Sequence, residues 1–139
     1  RHQFDAELRH KITRQRHWRV TYQLELNERE DLATLTTFTS YSPTRHNLRL
    51  AGEIPLASEW TLGGDLRYRL SDYNEDNLYS DGSSERREDV QLQARLKLRY
   101  ALSTNWEAQL EYSYTNNDSS IDGFDYDRNL YLLGISTLF

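Results

Sequence analysis

Five cations stand at alternate positions on two stretches: Arg67 and Arg69 in LRYRL, and Arg95, Lys97 and Arg99 in VQLQARLKLRYAL (90–102). Side chains two apart on an extended chain project to the same side. Facing confined water, such a stripe attracts anions and sets the selectivity of a passage. Opposite charges come within reach if the chain folds back on itself. A reversal at 103–105 brings Lys97 near Glu111 and Arg99 near Glu107 or Gln109, and one at 57–59 sets Arg49 near Asp65. Cross-strand pairs of this kind contribute about 0.2–1 kcal/mol each. Residues Arg49, Asp65, Arg67, Arg69, Arg95, Lys97, Arg99, Glu107 and Glu111 are therefore the candidate lining of a water-facing interior, with Asp65 and Glu111 the main compensation for the stripe. The competing reading is that these charges neutralise one another in a plugged interior.

Other chemistries find less to work with. There is no cysteine, so no thiol nucleophile, thiolate metal site or disulfide framework arises. His2, His10, His17 and His46 have no metal-like spacing, and no serine sits in a recognisable nucleophile context; Ser71 and Asp72 have nothing to select them. The segment NDSSIDGFDYD (117–127) gathers Asp118, Asp122, Asp125 and Asp127 around one glycine, but lacks the spaced ligands and terminal Glu of a calcium loop. It reads as a solvated acidic loop, and ERRED (85–89) as charged loop. The net charge of −5 leaves no basic excess for nucleic acid. No enzyme activity, metal or cofactor is expected.

The elements that must position the stripe follow from its periodicity. Val90, Leu92, Ala94, Leu96, Leu98, Tyr100 and Leu102 alternate with Gln91, Gln93 and the three cations, which is a β-strand with one apolar and one wet face. The same period predicts seven strands, at roughly 3–12, 17–26, 46–56, 60–70, 90–102, 106–115 and 129–139. Connections TRQR (13–16), ASE (57–59) and STN (103–105) are tight, whereas 27–45, 71–89 and 116–128 are long and polar. Short turns on one rim and long loops on the other is the layout of an outer-membrane barrel. Trp18, Trp60 and Trp106 each follow a short turn, as HWRV, EWTL and NWEA. Indoles at that level suit a membrane–water interface, and these are the candidate interface aromatics.

Alternation alone does not separate lipid from a protein core, and a mean hydropathy of −0.88 suggests a soluble protein. A barrel's alternation, however, hides its membrane surface from any such average. Strand length discriminates better. Soluble strands run ~5–6 residues and tilted membrane strands ~9–11, and all seven segments here reach the longer class. The fold expected is all-β: an antiparallel, up-and-down transmembrane β-barrel.

The ending GISTLF, with Gly134, Ile135 and Phe139, resembles the C-terminal signal by which Gram-negative outer-membrane barrels are recognised for insertion, although Thr137 stands where that signal has an apolar residue. The stretch YSYTNNDSSIDGFDYDRNLYLLGISTLF resembles the final hairpin of β-barrel porins that accompany exopolysaccharide export and surface-assembly systems. This resemblance implies an outer-membrane channel for hydrophilic solute or exopolysaccharide. The alternative is a structural or assembly barrel that sheathes or anchors a partner protein. Seven strands leave the first and last parallel, so an antiparallel single-chain barrel cannot close with them. Residues 1–139 are accordingly expected to be one barrel segment, incomplete at its N-terminal side. Its expected partners are outer-membrane lipid, the remaining strands, and polysaccharide or a periplasmic protein.

Overall fold

A computed structural model describes residues 1–13, 16–28, 32–33 and 37–137. Seven long strands are present: β1 (His2–Lys11), β2 (His17–Leu26), β5 (Pro43–Pro55), β6 (Trp60–Tyr73), β9 (Glu88–Ala101), β10 (Trp106–Ser119) and β11 (Tyr126–Thr137). Four two-residue strands lie in the loops between them: β3 (Leu32–Ala33), β4 (Phe38–Thr39), β7 (Asn77–Leu78) and β8 (Ser84–Glu85).

The long strands form a single antiparallel meander in chain order, β1-β2-β5-β6-β9-β10-β11. Period-two alternation sets the register, because a one-residue slip would turn every apolar side chain to the other face. The three short connections close alike. The N–H groups of Ile12 and Thr13 donate to the Arg16 carbonyl, those of Leu56 and Ala57 to Trp60, and those of Leu102 and Ser103 to Trp106. Arg14 and Gln15 of the first turn lie outside the described residues. Arg16 thus holds the turn position that Trp60 and Trp106 occupy in the other hairpins, and Trp18 sits two residues further along.

At the opposite end the ladders run on into what the alternation predicts as loop. β5 begins at Pro43, β6 continues to Tyr73, β9 starts at Glu88 and β10 reaches Ser119. The reason is that residues such as Ser71, Asp72, Glu88 and Asn116–Asp118 are polar on both faces, which erases the periodic signal while leaving the backbone free to pair. The two-residue strands form a separate small sheet, ordered β3-β4-β7-β8. Phe38 opposite Leu78 keeps the register of the β5–β6 pair.

Burial is inverted relative to a soluble domain. The buried apolar side chains among the described residues are few, Pro43, Tyr73 and Ile121, while Glu25, Asn27, Asn47, Arg87, Asp89 and Asn117 are among the buried polar ones. Leu8, Leu48, Leu50, Leu66, Leu96, Leu110, Leu133 and Ile135 stay exposed on one face, and among the described residues no second layer packs against them. A monomer in water rarely leaves so large an apolar surface bare. About ten residues at ~3.3 Å rise, inclined by ~40°, span roughly the 25 Å apolar band of a membrane barrel. Among the described residues the sheet is open: β1 pairs only with β2 and β11 only with β10.

Candidate functional site

The face opposite the apolar one carries the chemistry. Arg49 of β5, Asp65, Arg67 and Arg69 of β6, Arg95, Lys97 and Arg99 of β9, and Glu107 and Glu111 of β10 all fall on it in the observed register. Ile135 of β11 lies on the apolar face opposite Ala108, and Gly134 on the polar face opposite Gln109. A Cβ at Gly134 would stand 3.1 Å from the Gln109 amide nitrogen. Phe139 lies outside the described residues.

One row of this face is nearly continuous in hydrogen bonds. Gln23 donates to Asp5 (2.9 Å), Asn47 donates to Gln23 (3.2 Å), and Arg69 Nε donates to Asn47 (2.7 Å), which links β1, β2, β5 and β6. On the far strands Gln91 donates to the Tyr126 hydroxyl at 2.8 Å. From Asp5 to Gln91 each of these residues stands opposite the next in register, and Asn117 stands between Gln91 and Tyr126. The row is a chain of amides and charges that satisfy one another across the sheet.

Ion pairs take up part of the stripe, and not with the partners expected. Lys97 stands opposite Glu111. The carboxylate nevertheless goes to Arg95, whose Nε lies 3.3 Å away. Arg99 stands opposite Gln109 but bonds Glu53 of β5 at 2.8 Å, two strands distant. It reaches there because Gly63, opposite Glu53, puts no side chain in the way. Arg49 does meet Asp65, diagonally, with its Nε 2.6 Å from Oδ2. Pairing only adjacent strands missed Glu53, and the glycine between was the available signal. Arg67 and Lys97 are left with no carboxylate within reach among the described residues.

At the loop end the arrangement is denser. Arg87 donates to both oxygens of Asp89, through Nε at 2.9 Å and Nη2 at 2.6 Å. Its guanidinium stacks 3.6 Å from the Phe124 ring centre and 4.5 Å from that of Tyr73. Asp89 also accepts from the Ser119 hydroxyl (2.7 Å) and the Tyr73 hydroxyl (3.3 Å). The side chains of Arg87 and Asp89 are only 11% and 8% exposed, so two of the five charges of ERRED are buried, while Glu85, Arg86 and Glu88 stay exposed. Charge runs read as solvated unless partners are visible, and Tyr73 and Phe124 come from other segments. In the acidic loop, Asp125 accepts from the Ser119 backbone and Asp127 from Tyr114 and Asn116. Asp81, in the loop between β7 and β8, has its carboxyl held below the ordinary range by the hydroxyl and N–H of Ser83. No group of three or more His, Asp or Glu side chains is placed to hold a metal among the described residues.

The apolar face carries cross-strand aromatic pairs. His10 stacks on Trp18, Trp60 on Tyr100 and Tyr112 on Tyr131, with centres 4.5–5.4 Å apart. Trp60 and Trp106 are 39% and 50% exposed.

No helix among the described residues is long and apolar enough to cross a membrane. No curated protein and no solved structure matches the chain. A family model does match, over residues 61–139, from β6 to the end of the chain and thus across the cationic stripe. With more than half of its length matched, and with a porin-like wall of antiparallel strands, the chain belongs to the family described as Putative beta-barrel porin 2.

Proposed function

We propose that the polar face lines the lumen of a Gram-negative outer-membrane channel that passes hydrophilic solutes and prefers anions, acidic exopolysaccharide among them. The observation that carries the preference is that Arg67 and Lys97 stand on this face without a carboxylate partner among the described residues. Two fixed cations on a low-dielectric wall raise the local concentration of anions, and salt screens them with a Debye length of ~10 Å at 0.1 M. Trp18, Trp60 and Trp106 anchor the wall at the interface, and Gly134, Ile135 and Phe139 serve its assembly. Strands beyond these seven complete the barrel, since each bare edge group in hydrocarbon costs several kcal/mol.

The test is reversal potential across a planar bilayer for the complete barrel. Replacing both Arg67 and Lys97 by glutamine should move selectivity towards cations, most strongly at low salt. An unchanged potential in a conducting, folded double variant rejects the anion preference.

A second reading is a structural or assembly barrel holding a partner such as a periplasmic protein. The row from Asp5 to Arg69 and the pairs Arg95–Glu111 and Arg99–Glu53 favour it, because self-satisfied charges offer little to a passing solute. Single-channel recording separates the two: a stable open pore supports transport, and a closed barrel supports the partner reading.

A further inference from the structure

The apolar face is not smooth. Gly52 and Gly64 stand directly opposite each other on β5 and β6, and the two missing side chains leave an open groove of about 570 Å³. Its walls are apolar, with Leu50 and Leu66 on one side of the glycine row, Ile54 and Leu62 on the other, and Trp18 and Leu96 at its ends. A Cβ at Gly64 would meet nothing within 4 Å, so the gap there is real space, whereas one at Gly52 would stand 3.1 Å from the His17 carbonyl oxygen, so the open part of the groove lies over Gly64. This volume lies in the range of small-molecule sites.

The groove has one charged wall residue on the apolar side of the sheet. Arg16 lines it, on an exposed turn that ties its backbone N–H to the Thr13 hydroxyl at 3.1 Å. Among the described residues its guanidinium has no carboxylate partner. In the other two hairpins the equivalent turn position is Trp60 or Trp106, so a cation replaces an indole only where the groove opens. An acyl-sized apolar slot with an unpaired guanidinium at its turn end is complementary to a lipid that carries a hydrocarbon chain below an anionic headgroup. Arg presents a planar fork that matches phosphate geometry, and Trp18 beside it suits the headgroup level.

We infer that Gly52, Gly64 and Arg16 form a binding site for one anionic phospholipid of the leaflet at the short-turn rim. Its acyl chain lies over the glycine pair, and its phosphate meets Arg16. The inference rests on the reading that the apolar face meets lipid.

Trp18 is a built-in reporter. In the complete barrel with its other tryptophans replaced by phenylalanine, Trp18 fluorescence is measured in vesicles of zwitterionic phosphatidylcholine mixed with phosphatidylglycerol brominated on its acyl chains. A second variant keeps only Trp106 and gives the baseline. Phosphatidylglycerol should associate at Trp18 about fivefold more strongly than at Trp106, the factor that one cation near an anionic surface contributes. Arg16→Gln should abolish the excess, and Gly64→Leu should do so by filling the slot. Heat-modifiable gel mobility confirms that each variant is folded, and Arg16→Gln lies on an exposed turn where folding is least at stake. Quenching at both tryptophans with no preference at Trp18 overturns the site and leaves the lipid-facing reading intact. A preference that survives both substitutions also overturns it. Absence of quenching at both positions overturns the lipid-facing reading and the site together.

Discussion

The long-loop rim and the middle of the wall both carry arginines on the polar face, yet they use them in opposite ways. At the rim Arg87 has both oxygens of Asp89, two aromatic rings and almost no exposure. In the wall, Arg49 is 41% exposed and Arg95 42% exposed even though each has a partner, and Arg67 and Lys97 have none among the described residues. A guanidinium removed from water requires full pairing, whereas one facing a wet space does not. Arg87 therefore holds rim segments together, and the unpaired wall cations Arg67 and Lys97 remain available to something that is not protein.

That contrast makes the rim the more fragile of the two. Asp89→Ala leaves Arg87 buried without its counter-charge, which costs about 3–5 kcal/mol where a buried pair is broken. The expected outcome is local: the 74–87 and 120–125 segments separate and become protease-sensitive while the long strands stay paired. Cleavage confined to these segments, with heat-modifiable mobility retained, is the measurement. A rim as resistant as the unaltered one would erase the difference between the two regions.

The next test compares the two sides of the wall. Leu66→Arg places a cation in the middle of the apolar face and should cost about 2–4 kcal/mol of barrel stability if that face meets lipid. Gln93→Arg, opposite Arg67 on the polar face, should change stability little and add to anion selectivity. Urea unfolding in lipid vesicles reads both. Equal losses for the two variants would mean that the faces do not differ in solvent.

Selectivity sharpens the account further, because the wall contains paired and unpaired cations on the same two strands. The Arg67→Gln, Lys97→Gln double variant removes two charges that no carboxylate among the described residues neutralises. The Arg99→Gln, Glu53→Gln double variant removes a bonded pair and leaves the net charge unchanged. Reversal potential should move for the first and stay for the second. A comparable shift in both would mean that pairing is irrelevant to what the lumen senses.

How much of this was legible in the sequence follows from where a period of two operates. The strand VQLQARLKLRYAL and its neighbours were readable because apolar and polar residues alternate cleanly, and every predicted cation of the stripe fell on one face. Partner choice was not readable. Arg99 reaches Glu53 across Gly63, and such a contact depends on what the intervening strand omits. The rim was the least legible, since Ser71, Asp89 and Asn117 look like loop residues and are buried only because distant segments converge on them. The glycine pair on the apolar face was equally silent, as its alignment depends on the register between β5 and β6.

The smallest expected effect belongs to the outermost rim, and it sets a lower bound on what pairing does there. Asp81 accepts from the Ser83 hydroxyl at 2.7 Å and from the Ser83 N–H at 2.9 Å. The turn is closed by Tyr79 N–H to Ser83 carbonyl and has Gly82 at φ 84, a conformation glycine adopts without strain. Because these donors favour the ionised carboxylate, the folded pKa lies below the ordinary value. The stabilisation is therefore complete above the unfolded carboxylate's pKa and is lost as pH falls through the depressed folded one. The group is fully exposed, so the effect stays in the turn. Hydrogen exchange of the Ser83 amide should quicken, relative to neighbouring amides, only at the acid end of the range. Asp81→Asn keeps an acceptor without the charge and should remove that pH dependence while leaving the Arg87 cluster untouched. If acid instead loosens the 120–125 segment together with Ser83, the rim is one cooperative unit that joins its buried and exposed charges.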